Sequence, residues 1–144
     1  MWSSCCSFCH YCHHFHHYDE TTMGIIQWIP INTDIGVLLC LDAENCFSDS
    51  LRGMSYISQS QSYAFKPGRG AVGRCWTTGC TQQIQIKKST RFDEFHRSNV
   101  ALDNGIFCVT LLYDNEKGVV YEYLNNTKPN TSLPKFQQGV FNVQ

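Results

Sequence analysis

The first twenty residues concentrate the side chains that bind metal ions most readily. Cys9 and Cys12 form a Cys-x-x-Cys pair, and histidines follow closely. A structural zinc site needs four such ligands, normally supplied as two pairs on either side of a loop. Here every ligand falls within thirteen residues and no apolar core accompanies them. We therefore predict a disordered segment over residues 1–22 and assign no metal site, with metal binding by this segment as the alternative. The cluster consists of Cys5, Cys6, Cys9, His10, Cys12, His13, His14, His16 and His17.

The middle of the sequence carries basic side chains that could attract an anion. Seven Lys or Arg residues and no Asp or Glu occur from Arg52 to Arg91, although the formal net charge of the whole chain is only -1. Such a local excess would attract a negatively charged ligand. The overall charge offers no general attraction to nucleic acid or to an anionic membrane. The alternative is a solvated face that binds nothing. The seven residues are Arg52, Lys66, Arg69, Arg74, Lys87, Lys88 and Arg91.

Two predicted hairpins provide the framework for these side chains. Residues 25–29 and 37–41 are apolar, β-branched runs separated by turn residues, and Pro30 is expected to end the first run. Residues 106–113 and 119–124 form a second pair of runs around an Asp-Asn-Glu-Lys-Gly turn. Both patterns are typical of antiparallel strands joined by a short connection.

A helix is predicted between the two hairpins. Thr90 can accept the first backbone N–H groups as an N-cap, and Gly105 suits the residue just past the end. Strand pairs with helices inserted between them predict an α+β fold, with a central antiparallel sheet flanked by helices. The folded unit is expected to span residues 23–124, followed by a flexible Asn-, Thr- and Pro-containing tail over residues 125–144.

Residues 63–79 combine a short strand, a Pro-Gly-x-Gly turn and a short helix that ends at a glycine. With the Thr-Arg-Phe-Asp-Glu-Phe-His-Arg stretch at 90–97 and the Gly-Val-Val-Tyr-Glu-Tyr stretch at 118–123, this segment resembles the GAF family of sensory domains. The resemblance covers about 100 residues in the expected order. Glycines in such a turn adopt positive φ values that other residues avoid. The structural residues of the turn are Pro67, Gly68, Gly70 and Gly73.

The resemblance implies a GAF/PAS-like fold with a ligand pocket between the sheet and the helices. It implies ligand-responsive regulation without catalysis, through a small molecule, a partner domain or a second copy. The basic segment favours an anionic, ring-containing ligand, whose charge would contact arginines and whose ring would stack on aromatics. No cofactor is identified, nucleic acid and membrane partners are not expected, and the lack of a signal peptide or long apolar run favours the cytoplasm. The candidate ligand-binding residues are Trp28, Arg74, Trp76, Arg91, Phe92, Phe95 and Phe107.

Two other functions fit the same sequence. Some compact GAF proteins reduce free methionine sulfoxide through thiols, and Cys75, Cys80 and Cys108 could act in this way if nearby cations lowered their pKa. The third candidate is a vestigial interaction domain whose pocket is filled by its own side chains. The Gly-x-Gly-x-x-Gly spelling at residues 68–73 does not indicate a dinucleotide site, because a buried parallel strand and a long helix should flank it.

Overall fold

The computed structural model of the chain describes residues 22–127, in which seven strands form one sheet. The strands are β1 (Thr22–Thr33), β2 (Gly36–Leu41), β3 (Phe47–Ser48), β4 (Ala64–Phe65), β5 (Gln82–Gln85), β6 (Cys108–Asp114) and β7 (Val119–Asn125). Their order is β4-β2-β1-β7-β6-β5, and β3 pairs with the first part of β1. Every pairing between these strands is antiparallel. The predicted α+β fold with a central antiparallel sheet is therefore confirmed.

The two terminal predictions concern parts of the chain that the structure does not describe. The disordered segment predicted over residues 1–22 lies outside the described residues except for its last residue, which begins β1. The tail predicted over residues 125–144 lies outside them beyond residue 127.

Within residues 22–127, three α-helices connect the strands: α1 (Leu51–Ser60), α2 (Gly70–Thr78) and α3 (Ser98–Asp103). A short 3-10 helix at Ala43–Asn45 accompanies them. The Ser50 hydroxyl caps α1 by accepting a hydrogen bond from the Gly53 N–H at 3.0 Å. Helix α2 ends at Gly79, whose φ of 71° is left-handed and whose N–H donates to the Cys75 carbonyl. No helix in residues 22–127 is both long enough and apolar enough to cross a membrane.

The helix predicted to begin at Thr90 begins eight residues later, at Ser98. The Thr90 hydroxyl is indeed a cap, but it accepts the Lys87 N–H at 2.8 Å and closes a turn instead of opening a helix. Turns continue from there to the start of α3. Thr90 is therefore a capping residue, as predicted, but the prediction of a helix directly after it was wrong.

Strand β1 continues through Pro30, where the sequence predicted its end. Strand β7 pairs with β1 only as far as Trp28, so the rest of β1 has a strand on one side only, namely β2. Proline has no N–H to donate, and it is tolerated where a strand lies at an edge. The β1–β2 hairpin therefore extends beyond the body of the sheet.

The helices and one face of the sheet enclose the main core. Alternate side chains of a strand point to opposite faces, which directs Ile26 and Trp28 of β1 towards the helices and Ile25 away from them. The opposite face carries a smaller apolar cluster contributed by strands alone. Buried members of the main core include Ile26, Trp28, Leu39, Tyr56, Phe65, Val72, Cys75, Phe95, Ala101, Val109, Val120 and Leu124.

The glycine turn before α2 has the conformation that the sequence predicted. Gly68 and Gly70 have φ values of 80° and 68°. Gly73 allows the helix to lie close to the preceding turn, because a Cβ there would collide with the backbone carbonyl of Lys66. The first turn of α2 is therefore folded back tightly onto the residues around Pro67.

Candidate functional site

One concavity lies against the C-terminal part of α2, the start of β5 and the turn at residues 91–94. Its volume is about 570 Å³, within the range that small-molecule sites occupy. Two of the seven candidate ligand-binding residues, Arg74 and Arg91, line it. The residues of the described part of the chain that line it are Arg74, Thr78, Cys80, Gln82, Arg91, Asp93 and Glu94.

Backbone carbonyls hold the Arg74 guanidinium in place. Its two terminal nitrogens donate to the carbonyl oxygens of Asp93 at 3.2 Å and Glu94 at 3.0 Å. These acceptors are neutral, so the positive charge is positioned without being paired to a carboxylate. Arg91 differs, because its guanidinium forms a 3.0 Å ion pair with the Asp93 carboxylate. Both members of that pair are more than two-thirds exposed, and such pairs contribute little to stability.

The electrostatics of this cavity differ from what the basic segment suggested. That segment contains no acidic residue, but the turn that follows it brings Asp93 and Glu94 to the same wall as Arg74 and Arg91. Two positive and two negative side chains therefore share the lining. The attraction for a purely anionic ligand is correspondingly smaller than the sequence suggested.

The space between the sheet and the helices contains a buried ion pair. The Arg97 guanidinium lies 3.0 Å from the Glu122 carboxylate, and the two side chains are 1% and 0% exposed. Glu122 also accepts hydrogen bonds from the Trp28 indole at 2.8 Å and the Tyr56 hydroxyl at 3.0 Å. The second terminal nitrogen of the Arg97 guanidinium, Nη1, donates to the Ser60 hydroxyl at 3.2 Å. Side chains from β1 and α1 thus converge, together with Arg97, on one carboxylate of β7.

Four aromatic rings surround the Arg97 guanidinium. Its central carbon lies 4.8 Å from the centre of the Phe95 ring and 4.9 Å from that of Trp28, with Tyr56 and Phe65 at 5.4 and 5.5 Å. The negative faces of aromatic rings attract a cation at such distances. Burial by itself lowers the pKa of Arg97, but the neighbouring Glu122 reverses this, so the net pKa is raised. The guanidinium stays charged inside the core.

The structure places the predicted ligand-binding residues in several separate locations. Trp28 and Phe95 lie in the core around Arg97. Trp76 is half-buried, and its indole donates to the Gly118 carbonyl at 2.9 Å. Phe92 is 69% exposed and packs edge-on against His96. Phe107 is half-buried beside the start of β6. Ligand contact by any of the seven stays a prediction.

Arg97, Glu122 and Tyr56 form a buried polar cluster that the sequence analysis did not predict. Glu122 carried a usable signal, because it is the only charged residue in the apolar run from Val119 to Leu124. Strand alternation places it on the same face as Val120 and Leu124, towards the core. A buried carboxylate requires a buried partner, but nothing in the local sequence identifies that partner as Arg97.

The thiols proposed for redox chemistry lie in unfavourable surroundings. Burial raises the pKa of Cys75 and of Cys108 to about 12, so both are thiols at neutral pH. Cys80 is exposed and lines the cavity. Across residues 22–127, no three His, Cys, Asp or Glu side chains are grouped so that they could hold a metal ion.

Comparison with protein-family models finds no match for the chain. Comparison with curated proteins finds no match either. The fold and the contacts described above are therefore the observations from which a function must be argued.

Proposed function

We propose that the chain is a GAF-like regulatory domain that binds a small molecule in the cavity between α2, β5 and the turn at residues 91–94, without catalysing its conversion. The observation that carries this proposal is the Arg74 guanidinium, which two backbone carbonyls fix and which pairs with no carboxylate of the described residues 22–127. A positioned charge in a concave site contributes to affinity because little ordering is left to occur on binding.

The cavity is linked to the main core through α2. Arg74 belongs to α2, whose buried face packs in the main core, while its partners belong to the turn that leads to Arg97 and α3. A ligand that tightened the contact between Arg74 and this turn would stabilise both segments together. Ligand-dependent order of this kind is one way in which a binding domain regulates a partner.

A ligand screen tests the proposal. Binding to the folded state raises the unfolding free energy by roughly 2.7 kcal/mol when the ligand is present at about 100 times its dissociation constant. We expect a metabolite with an anionic group to raise the melting temperature, and Arg74→Ala to abolish this increase. Lys88→Ala is the matched control, because it removes an exposed charge of the same basic segment that does not line the cavity. Equal ligand-induced shifts in the two variants would contradict the proposal.

A vestigial interaction domain is the second candidate, and the Arg97 side chain favours it. The region between the sheet and the helices, where the resemblance predicted a ligand pocket, is occupied by Arg97, Glu122 and their aromatic neighbours. If the screen yields no thermal shift and the purified protein carries no bound compound, this candidate replaces the first. The methionine sulfoxide reductase would depend on Cys80, which is exposed at the cavity, because burial raises the pKa of Cys75 and of Cys108 to about 12.

A further inference from the structure

The cavity lined by Arg74, Arg91, Asp93 and Glu94 carries charges of both signs. These charges differ in whether an ion pair within the protein already neutralises them. Among residues 22–127, the acceptors that hold Arg74 are neutral carbonyls. Within residues 22–127 the Glu94 carboxylate forms no ion pair. The Arg91–Asp93 pair is exposed and already internally neutralised. The wall therefore offers one available cation and one available anion.

A ligand of a single charge would meet an opposing charge in this cavity. An anion attracted by Arg74 would be repelled by Glu94, and a cation attracted by Glu94 would be repelled by Arg74. Charged groups at one cavity interact appreciably near a protein surface, where the effective dielectric is well below that of water. A ligand carrying both charges at short separation gains from both side chains and meets neither repulsion.

We infer that the cavity binds a free α-amino acid, with its carboxylate at Arg74 and its ammonium group at Glu94. Each terminal nitrogen of Arg74 carries a second N–H beside the one that it donates to a backbone carbonyl, and a carboxylate is the planar acceptor that guanidinium N–H groups bind best. The side chain of the amino acid would extend along the wall formed by Thr78, Cys80 and Gln82. This inference rests on the proposed binding function and narrows its ligand from an anion to a zwitterion.

Matched ligands separate the contributions of the two charges. The full chain is titrated with each of the twenty L-amino acids by isothermal calorimetry, with phenylalanine as the first probe. Its two truncated analogues follow: 3-phenylpropionate lacks the ammonium group and phenethylamine lacks the carboxylate. For the amino acid that binds most tightly, we expect each analogue that lacks one charge to bind at least roughly tenfold more weakly, the usual consequence of losing a charged hydrogen bond.

Variants assign each charge to its residue. Glu94→Gln should weaken the amino acid roughly tenfold while leaving the analogue without the ammonium group unchanged or tighter. Arg74→Gln should weaken both. Glu44→Gln, an exposed carboxylate on the 3-10 helix that does not line the cavity, is the control and should change neither.

The outcomes distinguish this inference from the function on which it rests. Equal binding of the amino acid and its desamino analogue, or equal loss in Glu94→Gln and Glu44→Gln, would overturn the zwitterion assignment. Failure of all twenty amino acids to bind would also overturn it. If an anionic metabolite nevertheless gave an Arg74-dependent thermal shift, the small-molecule function would stand while the amino-acid assignment failed.

Discussion

Replacing Arg97 by methionine tests whether the buried ion pair organises the core. Methionine keeps much of the side-chain volume but removes the guanidinium 3.0 Å from Glu122. The carboxylate, 0% exposed, would keep only its hydrogen bonds from Trp28 and Tyr56. Removing one partner of a buried pair typically costs about 3–5 kcal/mol, because the other charge is left without compensation. The loss of contact with four aromatic rings acts in the same direction.

The reciprocal change gives the second half of a double-mutant cycle. Glu122→Gln leaves the guanidinium buried without a counter-charge, and we again expect a loss of about 3–5 kcal/mol. The combined variant Arg97→Met/Glu122→Gln should lose less than the sum of the two single changes, because the second substitution removes the group that the first left uncompensated. Urea unfolding followed by circular dichroism measures each free energy.

Two results would refute this reasoning. One is a loss below about 1 kcal/mol for each single variant, no more than an ordinary mutation costs. The other is strict additivity in the double variant, which would mean that the two groups do not interact. Arg69→Met, at an exposed position, is the matched control and should stay within about 0.5 kcal/mol of the unmodified chain. Should a single variant not fold, Arg97→Ala with added methylguanidinium provides a second test. Millimolar methylguanidinium should restore the folded circular dichroism spectrum of this variant. An unchanged spectrum would contradict a stabilising role for the guanidinium between Glu122 and the four aromatic rings.

Three further predictions concern individual residues. Gly73→Ala should lower the melting temperature, although alanine normally favours a helix by about 0.5–1 kcal/mol, because its methyl group would meet a backbone carbonyl; Thr77→Ala, exposed on the same helix, should change it little. Burial, aided by nearby guanidinium groups, lowers the pKa of His96 below its ordinary 6.5. The unfolded chain therefore binds the proton more readily, the unfolding free energy should fall as the pH drops below about 6.5, and His96→Gln should flatten this dependence in urea titrations at pH 5 to 8. Iodoacetamide should alkylate exposed Cys80 in the native protein but Cys75, whose pKa burial raises to about 12, only after unfolding, as peptide mass spectrometry would show.

The parts of the fold that were predicted correctly depend on local signals. The hairpin of β6 and β7 is specified by apolar runs on both sides of a turn, and the turn glycine, Gly118, has a positive φ. The glycines before α2 likewise encode their own backbone conformation. Each of these features is determined by residues within about ten positions of one another, which is the range that sequence patterns report.

The errors arose where a distant contact decides the outcome. Whether Pro30 ends β1 depends on where β7, some ninety residues further along the chain, stops pairing with it. The error at Thr90 is the exception, because its hydroxyl closes a competing turn with Lys87, only three residues earlier. The hydrogen bond from Trp28 to Glu122 joins residues 94 positions apart. Residue patterns in a single sequence do not indicate which residues, some ninety positions apart, will contact each other.

The contents of the core bear directly on where a ligand can bind. The sequence interpretation assigned Trp28 and Phe95 to the stacking of a ligand ring, and in the structure both rings lie against the guanidinium of Arg97. A ligand entering that region would have to displace Arg97 and leave the buried Glu122 without its partner. At about 3–5 kcal/mol, that displacement would weaken binding by roughly a hundredfold to several thousandfold. The cavity at Arg74 requires no such displacement, because the one ion pair it would disturb is exposed and weak. Binding outside the core, at the cavity beside α2, is therefore the arrangement that requires the smaller change in the protein.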